Sequence, residues 1–209
     1  MTVLNQIAYF QNRRDEVPNQ ELARQLAETQ DRSGIQEIAQ NLWNKNSNIQ
    51  SDCLKVLYET GYLAPELIAP YAADFLKLLH SRHNRMVWGG MIALSTIADI
   101  AADAIDGQRG EIQRTMEQGS VITIDAGVQT LAKLATTSAE RRREILPYLL
   151  QHLQSCRLSD VPRHAEKIAI AVDASNRDEF IHTLEQRLPN MSASQAARIR
   201  RVIKQAEKS

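Results

Sequence analysis

Histidine spacing is the first place to look for metal or acid–base chemistry in this chain of 209 residues. His80-x-x-His83 is its closest histidine pair, and in a helix this spacing places both imidazoles on adjacent turns, as zinc ligands can be. No third ligand is evident beside the pair, and a histidine that closes a helix is already stabilised by the helix dipole. We therefore predict no metal site and no cofactor.

An acidic run follows the pair. Asp99, Asp103 and Asp106 fall at i, i+4 and i+7, so an unbroken helix would align three carboxylates in one stripe. Such a stripe could hold a cation, but beside the turn signal Asp106-Gly107 it is more typical of a solvated face.

Two adjacent glycines in Trp88-Gly89-Gly90-Met91 form the other distinctive run. Glycine is costly inside a helix, so its presence indicates that something approaches the backbone closely. A neighbouring helix explains this without a ligand. Trp43 and Trp88 both lie on the flanks of apolar helix faces, which suits either packing between repeats or a half-exposed aromatic patch.

No catalytic signature is present. Nothing in the sequence marks a nucleophile on a sharp turn or a phosphate in a glycine-rich loop. We predict no catalytic residues and expect a binding protein rather than an enzyme.

The overall composition limits the partners. Lys plus Arg and Asp plus Glu number 25 each, so the chain as a whole does not attract nucleic acid or an anionic membrane. No stretch is apolar enough to span a bilayer, and no signal peptide is evident at the start. Two separated cysteines, Cys53 and Cys156, fit buried free thiols. A cytoplasmic location is the expectation.

An internal repeat defines the helices on which any functional residues must lie. Apolar residues recur at intervals of three and four, as amphipathic helices require, and the pattern itself repeats every 37 residues. The first helix of each unit carries the columns Leu57, Leu94, Leu131, Ile168 and Leu54, Met91, Val128, Ala165, beside a small column Cys53, Gly90, Gly127. The second helix carries Ile38, Phe75, Ile112, Leu149 and Leu42, Leu79, Met116, Leu153.

Each unit is therefore predicted to be a helix pair. The first helices are predicted at about 47–62, 84–104, 120–136 and 160–173, and their partners at about 64–81, 109–118, 138–155 and 176–188. An earlier pair at 19–30 and 33–45 makes about five repeats, and Pro147 predicts a late start or a kink in one helix. A basic capping helix at 192–209 begins with the capping-box pattern Ser192-x-x-Gln195.

This pattern resembles the HEAT and armadillo-like repeat families, in which antiparallel helix pairs stack into a superhelix. The usual proline of the first helix and the Asp and Arg ladder of HEAT repeats do not recur here. The resemblance implies an all-α, right-handed α-solenoid, which we predict to be one domain over residues 1–209.

The second helices line the concave face of such a stack, so their outward positions are candidate binding residues. Two ridges follow the period: Glu37, Asp74, Glu111, Tyr148 and Gln40, Lys77, Arg114, Gln151. A third holds Asn44, Ser81, Gln118 and Ser155. We expect a protein or peptide partner on these ridges, with Tyr148 as an aromatic anchor.

The alternative is a nucleic-acid-binding protein resembling the HEAT-type alkylpurine DNA glycosylases. Arg141-Arg142-Arg143, the basic last helix and two tryptophans favour it. The ridges disfavour duplex DNA, because Lys77 and Arg114 face three carboxylates there, and no catalytic Asp with flanking aromatic residues can be matched.

Overall fold

A computed structural model describes residues 2–208. Outside the described residues lie Met1 and Ser209, which end the predicted single domain; Ser209 also ends the predicted capping helix. Within that range the regular elements are all helical, which confirms the predicted class. The chain divides into two compact units, up to Gly127 (unit 1) and from Val128 onward (unit 2). The single-domain organisation stays a prediction.

The helices follow the predicted pairs. They are α1 (Val17–Thr29), α2 (Arg32–Gln40), α3 (Ser47–Leu63), α4 (Pro65–Ile68), α5 (Ala72–Leu78), α6 (Asn84–Ile97), α7 (Ala102–Asp106), α8 (Arg109–Gln118), α9 (Val121–Thr136), α10 (Ala139–Ser155), α11 (Val161–Ile168), α12 (Arg177–Arg187) and α13 (Ala193–Ala206). Short 3-10 turns occupy Leu4–Gln6, Asn41–Trp43, Ala69–Tyr71, Ala169–Ala171 and Leu188–Asn190.

Four predicted helices are interrupted. The helix expected at 33–45 ends as α2 at Gln40 and tightens into a 3-10 turn. The helix expected at 64–81 divides into α4, a 3-10 turn and α5, because Pro70 has no N–H for the helical ladder. The helix expected at 84–104 ends at Ile97, and the chain bends before α7, which buries Ile105. The helix expected at 160–173 ends as α11 at Ile168 and tightens into a 3-10 turn. By contrast, α10 starts at Ala139 and continues through Pro147.

The periodic columns form the core, as predicted. The members of both first-helix columns and both second-helix columns are buried: Leu54, Leu57, Met91, Leu94, Val128, Leu131, Ala165, Ile168, Ile38, Leu42, Phe75, Leu79, Ile112, Met116, Leu149 and Leu153. Residues spaced by the 37-residue period thus occupy equivalent positions in the core, because a helical repeat buries the same apolar stripe in each unit.

Two members of the small-residue column, Gly90 and Gly127, lie where consecutive helices are in close contact. A Cβ atom added to Gly90 would lie 3.0 Å from the Leu78 Cβ and 3.1 Å from the Phe75 carbonyl oxygen, both on α5. One repeat later, a Cβ on Gly127 would collide with Met116 of α8. At these glycines the backbone of the first helix of one repeat therefore lies directly against the second helix of the preceding repeat. This close packing explains both glycines without a ligand.

Both ends are covered. Before α1, Val3, Ile7 and Ala8 are buried, and the Ala8 amide donates to the Asn19 Oδ1 at 2.9 Å. At the other end, Ser192 and Gln195 form the predicted capping box of α13. Covering the terminal repeats in this way keeps their apolar faces out of water.

We predict that Gly90→Leu lowers the free energy of unfolding by about 1–3 kcal/mol, because the side chain has to displace α5. Gly110→Leu is the matched control, since nothing lies within 4 Å of a Cβ at this exposed helical position. That change should shift stability by less than about 1 kcal/mol. Denaturant melts of both variants measure this, and equal midpoints would mean that α5 and α6 are not in tight contact.

Candidate functional site

A surface groove crosses unit 1 at the ends of its second helices. It consists of two adjoining hollows that share His80 and Ser81 (the unit 1 groove). The first, about 350 Å³, is lined by Leu42, Trp43, Lys45, Ser47, Gln50, Lys77, Leu78, His80, Ser81, His83 and Met86. The second, about 400 Å³, is lined by Leu79, His80, Ser81, Arg82, Asn84, Val87, Glu111, Arg114, Thr115, Gln118 and Gly119.

Trp43 is the large aromatic side chain of this groove. It is 49% exposed, although indole is among the most apolar surfaces a side chain offers. Its orientation is fixed on two sides: the indole Nε1 donates to the Asp74 Oδ1 at 3.2 Å, and the Lys77 Nζ lies 5.3 Å from the ring centroid. The groove thus presents an exposed ring that is already held in place.

Positive charge dominates the lining. Within residues 2–208, Lys45, Lys77 and Arg82 form no salt bridge. Glu111 is the acidic member of the lining, and it pairs with Arg114 and lies 3.5 Å from the His80 Nδ1. The groove therefore offers cations that have no carboxylate of their own.

The structure brings together part of the predicted ridges. Lys77, Glu111 and Arg114 line the groove, and Asp74 supports it through Trp43. Ser81 and Gln118 of the third ridge also line it.

Other ridge residues lie elsewhere. Glu37 accepts hydrogen bonds from the Thr2 hydroxyl and the Val3 amide, so it anchors the start of the chain, while Gln40 is exposed on α2. In unit 2, Tyr148 is half-buried and Gln151 is exposed, both on α10. As binding residues, all eight remain predictions.

The sequence carried a signal for the groove residues that were missed. Trp43 and His80 are 37 residues apart, and so are Lys45 and Arg82. The repeat period thus places an aromatic residue and a cation at equivalent turn positions of two successive repeats, on either side of the third-ridge residues Asn44 and Ser81.

The other predicted constellations do not assemble. His80 and His83 have no third His, Cys, Asp or Glu that completes a metal-sized cluster with them in the described part of the chain. The acidic stripe is broken because α6 ends at Ile97, so Asp99 and Asp103 do not share one continuous helix. Trp88 is half-buried, with its ring 6.3 Å from Tyr58 and 5.8 Å from the Arg85 guanidinium.

The basic runs that favoured nucleic acid are partly engaged in unit 2. Arg142 pairs with Asp173 at 2.5 Å, and Arg141 donates to the Thr137 hydroxyl at 3.0 Å. On α13, Arg198 makes a two-pronged contact with Glu166. These three guanidinium groups therefore already make contacts within the chain.

A compact group of metal-ligand types also lies in unit 2. His152, Cys156 and His164 each place one donor atom within 4.8 Å of the others, and the His152 Nε2 lies 3.0 Å from the His164 Nδ1. Burial, reinforced by the neighbouring His164, lowers the pKa of His152 to about 4, and burial raises the pKa of the Cys156 thiol to about 11. The prediction of no metal site rests on the His80 and His83 pair, whereas His152-x-x-x-Cys156 also has the spacing of one helical turn.

None of the helices in residues 2–208 is long and apolar enough to cross a lipid bilayer. No model of a known protein family matches the sequence, and no curated protein is significantly similar to it.

Solved structures are similar in fold. An engineered protein from a structural genomics programme matches with a TM-score of 0.69 at 18% identity, over 100% of this chain and 98% of the other. A designed armadillo repeat protein in complex with the peptide (KR)4 matches at 0.68 and 14%, over 98% and 99%. Computationally designed armadillo repeat proteins for modular peptide recognition match at 0.65 and 13%, over 92% and 94%. The chain therefore has an all-α, armadillo-like helical repeat fold.

Proposed function

We propose that this protein is a non-enzymatic scaffold whose unit 1 groove binds an acidic, extended segment of a partner protein. The observation that carries the proposal is the exposed Trp43 ring in a groove that is also lined by Lys45, Lys77 and Arg82, three cations that form no salt bridge within residues 2–208. An apolar anchor flanked by charge suits a peptide that alternates apolar and acidic side chains.

The designed armadillo proteins support a peptide as the class of partner, since one of them was solved with (KR)4. That peptide is basic, whereas the groove of this chain is lined by Lys45, Lys77, Arg82 and Arg114 against Glu111. With the sign of the groove reversed, the same type of scaffold selects an acidic segment.

The strength of the interaction depends on the aromatic anchor and on several charges together. An exposed ion pair contributes only about 0.2–1 kcal/mol, so one cation alone does not hold a peptide. Trp43 contributes more, because Asp74 and Lys77 already restrict its side chain and little further entropy is lost on binding. Binding should therefore be moderate and sensitive to salt.

The competing candidate is a nucleic acid, because an uncompensated cationic groove also attracts phosphate. Tight duplex binding draws on several phosphate contacts and loses affinity steeply with salt. Few groove cations are available for this, and Glu111 lies among them. An acidic peptide therefore remains the proposed ligand, and binding of a DNA duplex is measured separately as the alternative.

We predict that an acidic peptide protects Trp43 from solvent. Trp88→Phe leaves Trp43 as the remaining tryptophan, and acrylamide should quench its fluorescence efficiently because half of the side chain is exposed. Adding a peptide of alternating Glu and Leu should reduce the quenching constant about twofold or more. In the control Trp43→Phe, the peptide should leave the quenching of Trp88 unchanged, and protection of Trp88 instead would place the peptide outside the groove.

We predict that reversing Lys77 and Arg114 to Glu weakens binding of the labelled Glu/Leu peptide about tenfold, or roughly 1.4 kcal/mol. Reversing Arg24 and Arg200, which are exposed and do not line the groove, changes the net charge equally and should have little effect. Fluorescence anisotropy measures both, with circular dichroism as the check on folding. The Gln/Leu and Lys/Leu versions of the peptide should bind progressively less well.

A labelled DNA duplex titrated at about 50 and 200 mM salt completes the comparison. Submicromolar duplex binding at the higher salt, lost on reversal of Lys77 and Arg114, would overturn the peptide proposal in favour of nucleic acid. Equal binding of all three peptides would also contradict it, because charge would then play no part.

A further inference from the structure

The ligand-type cluster of unit 2 is formed by two helices and the turn between them. His152 lies in the last turn of α10, Cys156 caps its C-terminus, and His164 lies in the first half of α11. The intervening turn folds α11 back so that His164 meets His152, with their ring centroids 4.9 Å apart. Side chains 12 residues apart thus converge on one point.

We propose that His152, Cys156 and His164 form a Zn²⁺ site that ties α10 to α11. Zinc binds nitrogen at about 2.0–2.1 Å and sulfur at about 2.3 Å, so a tetrahedral ion spaces its donors by roughly 3.3–3.8 Å. The donors here lie 3.0 Å apart for the two imidazole nitrogens and within 4.8 Å overall. Small side-chain rotations bring all three to ligand distance.

The donor set selects the metal class. Two imidazoles and one thiol suit a borderline-soft ion such as Zn²⁺ and not Mg²⁺ or Ca²⁺, which prefer oxygen. On binding, the thiol proton leaves to solvent and a sulfur–zinc bond forms. The ring that donates the hydrogen bond between the two imidazoles shifts its proton to its other nitrogen, so that both facing nitrogens supply lone pairs. Three protein ligands leave the fourth tetrahedral position to a water molecule.

The surroundings hold the three ligands in place. His164 is 1% exposed, and Leu153 of α10 and Val161 of α11 are fully buried. Arg187 of α12 donates to the carbonyl oxygens of Gln154 and Cys156, which fixes the end of α10.

Within the turn, Asp160 is held by Arg157 at 2.9 Å and by Arg163 at 3.3 Å. Preorganised ligands of this kind lower the cost of ordering a metal site.

Cobalt is the probe for the test, because tetrahedral Co²⁺ substitutes for zinc and gives visible d–d bands and a near-ultraviolet band from thiolate sulfur. The full chain is treated with a chelator under reducing conditions and titrated with Co²⁺. We expect both bands to saturate at about one ion per chain and Zn²⁺ to displace them. Absence of a saturable sulfur band would mean that the two imidazoles share only a hydrogen bond, and would overturn the site.

Matched variants assign the ligands. Cys156→Ser should abolish the sulfur band, and His152→Gln should weaken Co²⁺ binding at least about tenfold. The controls are Cys53→Ser, which removes the other cysteine, and His80→Gln with His83→Gln, which removes the closest histidine pair. Persistence of the sulfur band in Cys156→Ser, or its loss in Cys53→Ser, would contradict the assignment.

A readout on the wild-type chain does not depend on the folding of any variant. Zn²⁺ should slow alkylation of Cys156 by a soluble thiol reagent at least about tenfold, because the sulfur is then bound to metal. Mass spectrometry after proteolysis locates the label. Alkylation of Cys156 at the same rate with and without Zn²⁺ would overturn the proposal.

Discussion

The close approach of successive helices at the small-residue column is the constraint on which the rest of unit 1 depends. Gly90 lets α6 lie against the Phe75 carbonyl and Leu78 of α5, and Gly127 gives the same freedom to α9 against Met116 of α8. This contact fixes how far the end of each second helix projects beside the start of the next first helix. The second hollow of the unit 1 groove is lined by the end of α8, the start of α6 and the turn between α5 and α6, so its width depends on these packing contacts.

Repetition explains why so much of the fold could be predicted. Each core position is recorded several times in the sequence, as in the fully buried Leu57, Leu94 and Leu131, so an error at one position is corrected by the others. The predictions failed where a single local event decided the backbone. The break at Pro70 is such an event, because the positions one period away are Ser33 and Gly107 and carry no proline.

The candidate sites were harder to predict for a related reason. The predicted ridges follow columns of outward positions, and they omit the flanking residues Trp43, Lys45 and Arg82, which the turns after α2 and α5 bring to the groove. Glu37 accepts hydrogen bonds from the Thr2 hydroxyl and the Val3 amide, contacts that the repeat pattern does not indicate, and its role in binding stays a prediction. In the His152, Cys156 and His164 cluster, the sequence indicates only that His152 and Cys156 are one helical turn apart. His164 joins them because α11 folds back against the end of α10, and this tertiary contact leaves no pattern in the sequence.

The central claim is that an acidic segment binds beside Trp43, and the indole N–H resonances test it most directly. In a ¹H–¹⁵N spectrum the two tryptophans give two indole signals, assigned by single substitution to Phe. On titration with the Glu/Leu peptide, the account predicts a saturable shift of the Trp43 signal and no shift of Trp88, and neither signal should respond to the Lys/Leu peptide. A Trp43 signal unmoved by the acidic peptide, or moved equally by the basic one, would contradict it.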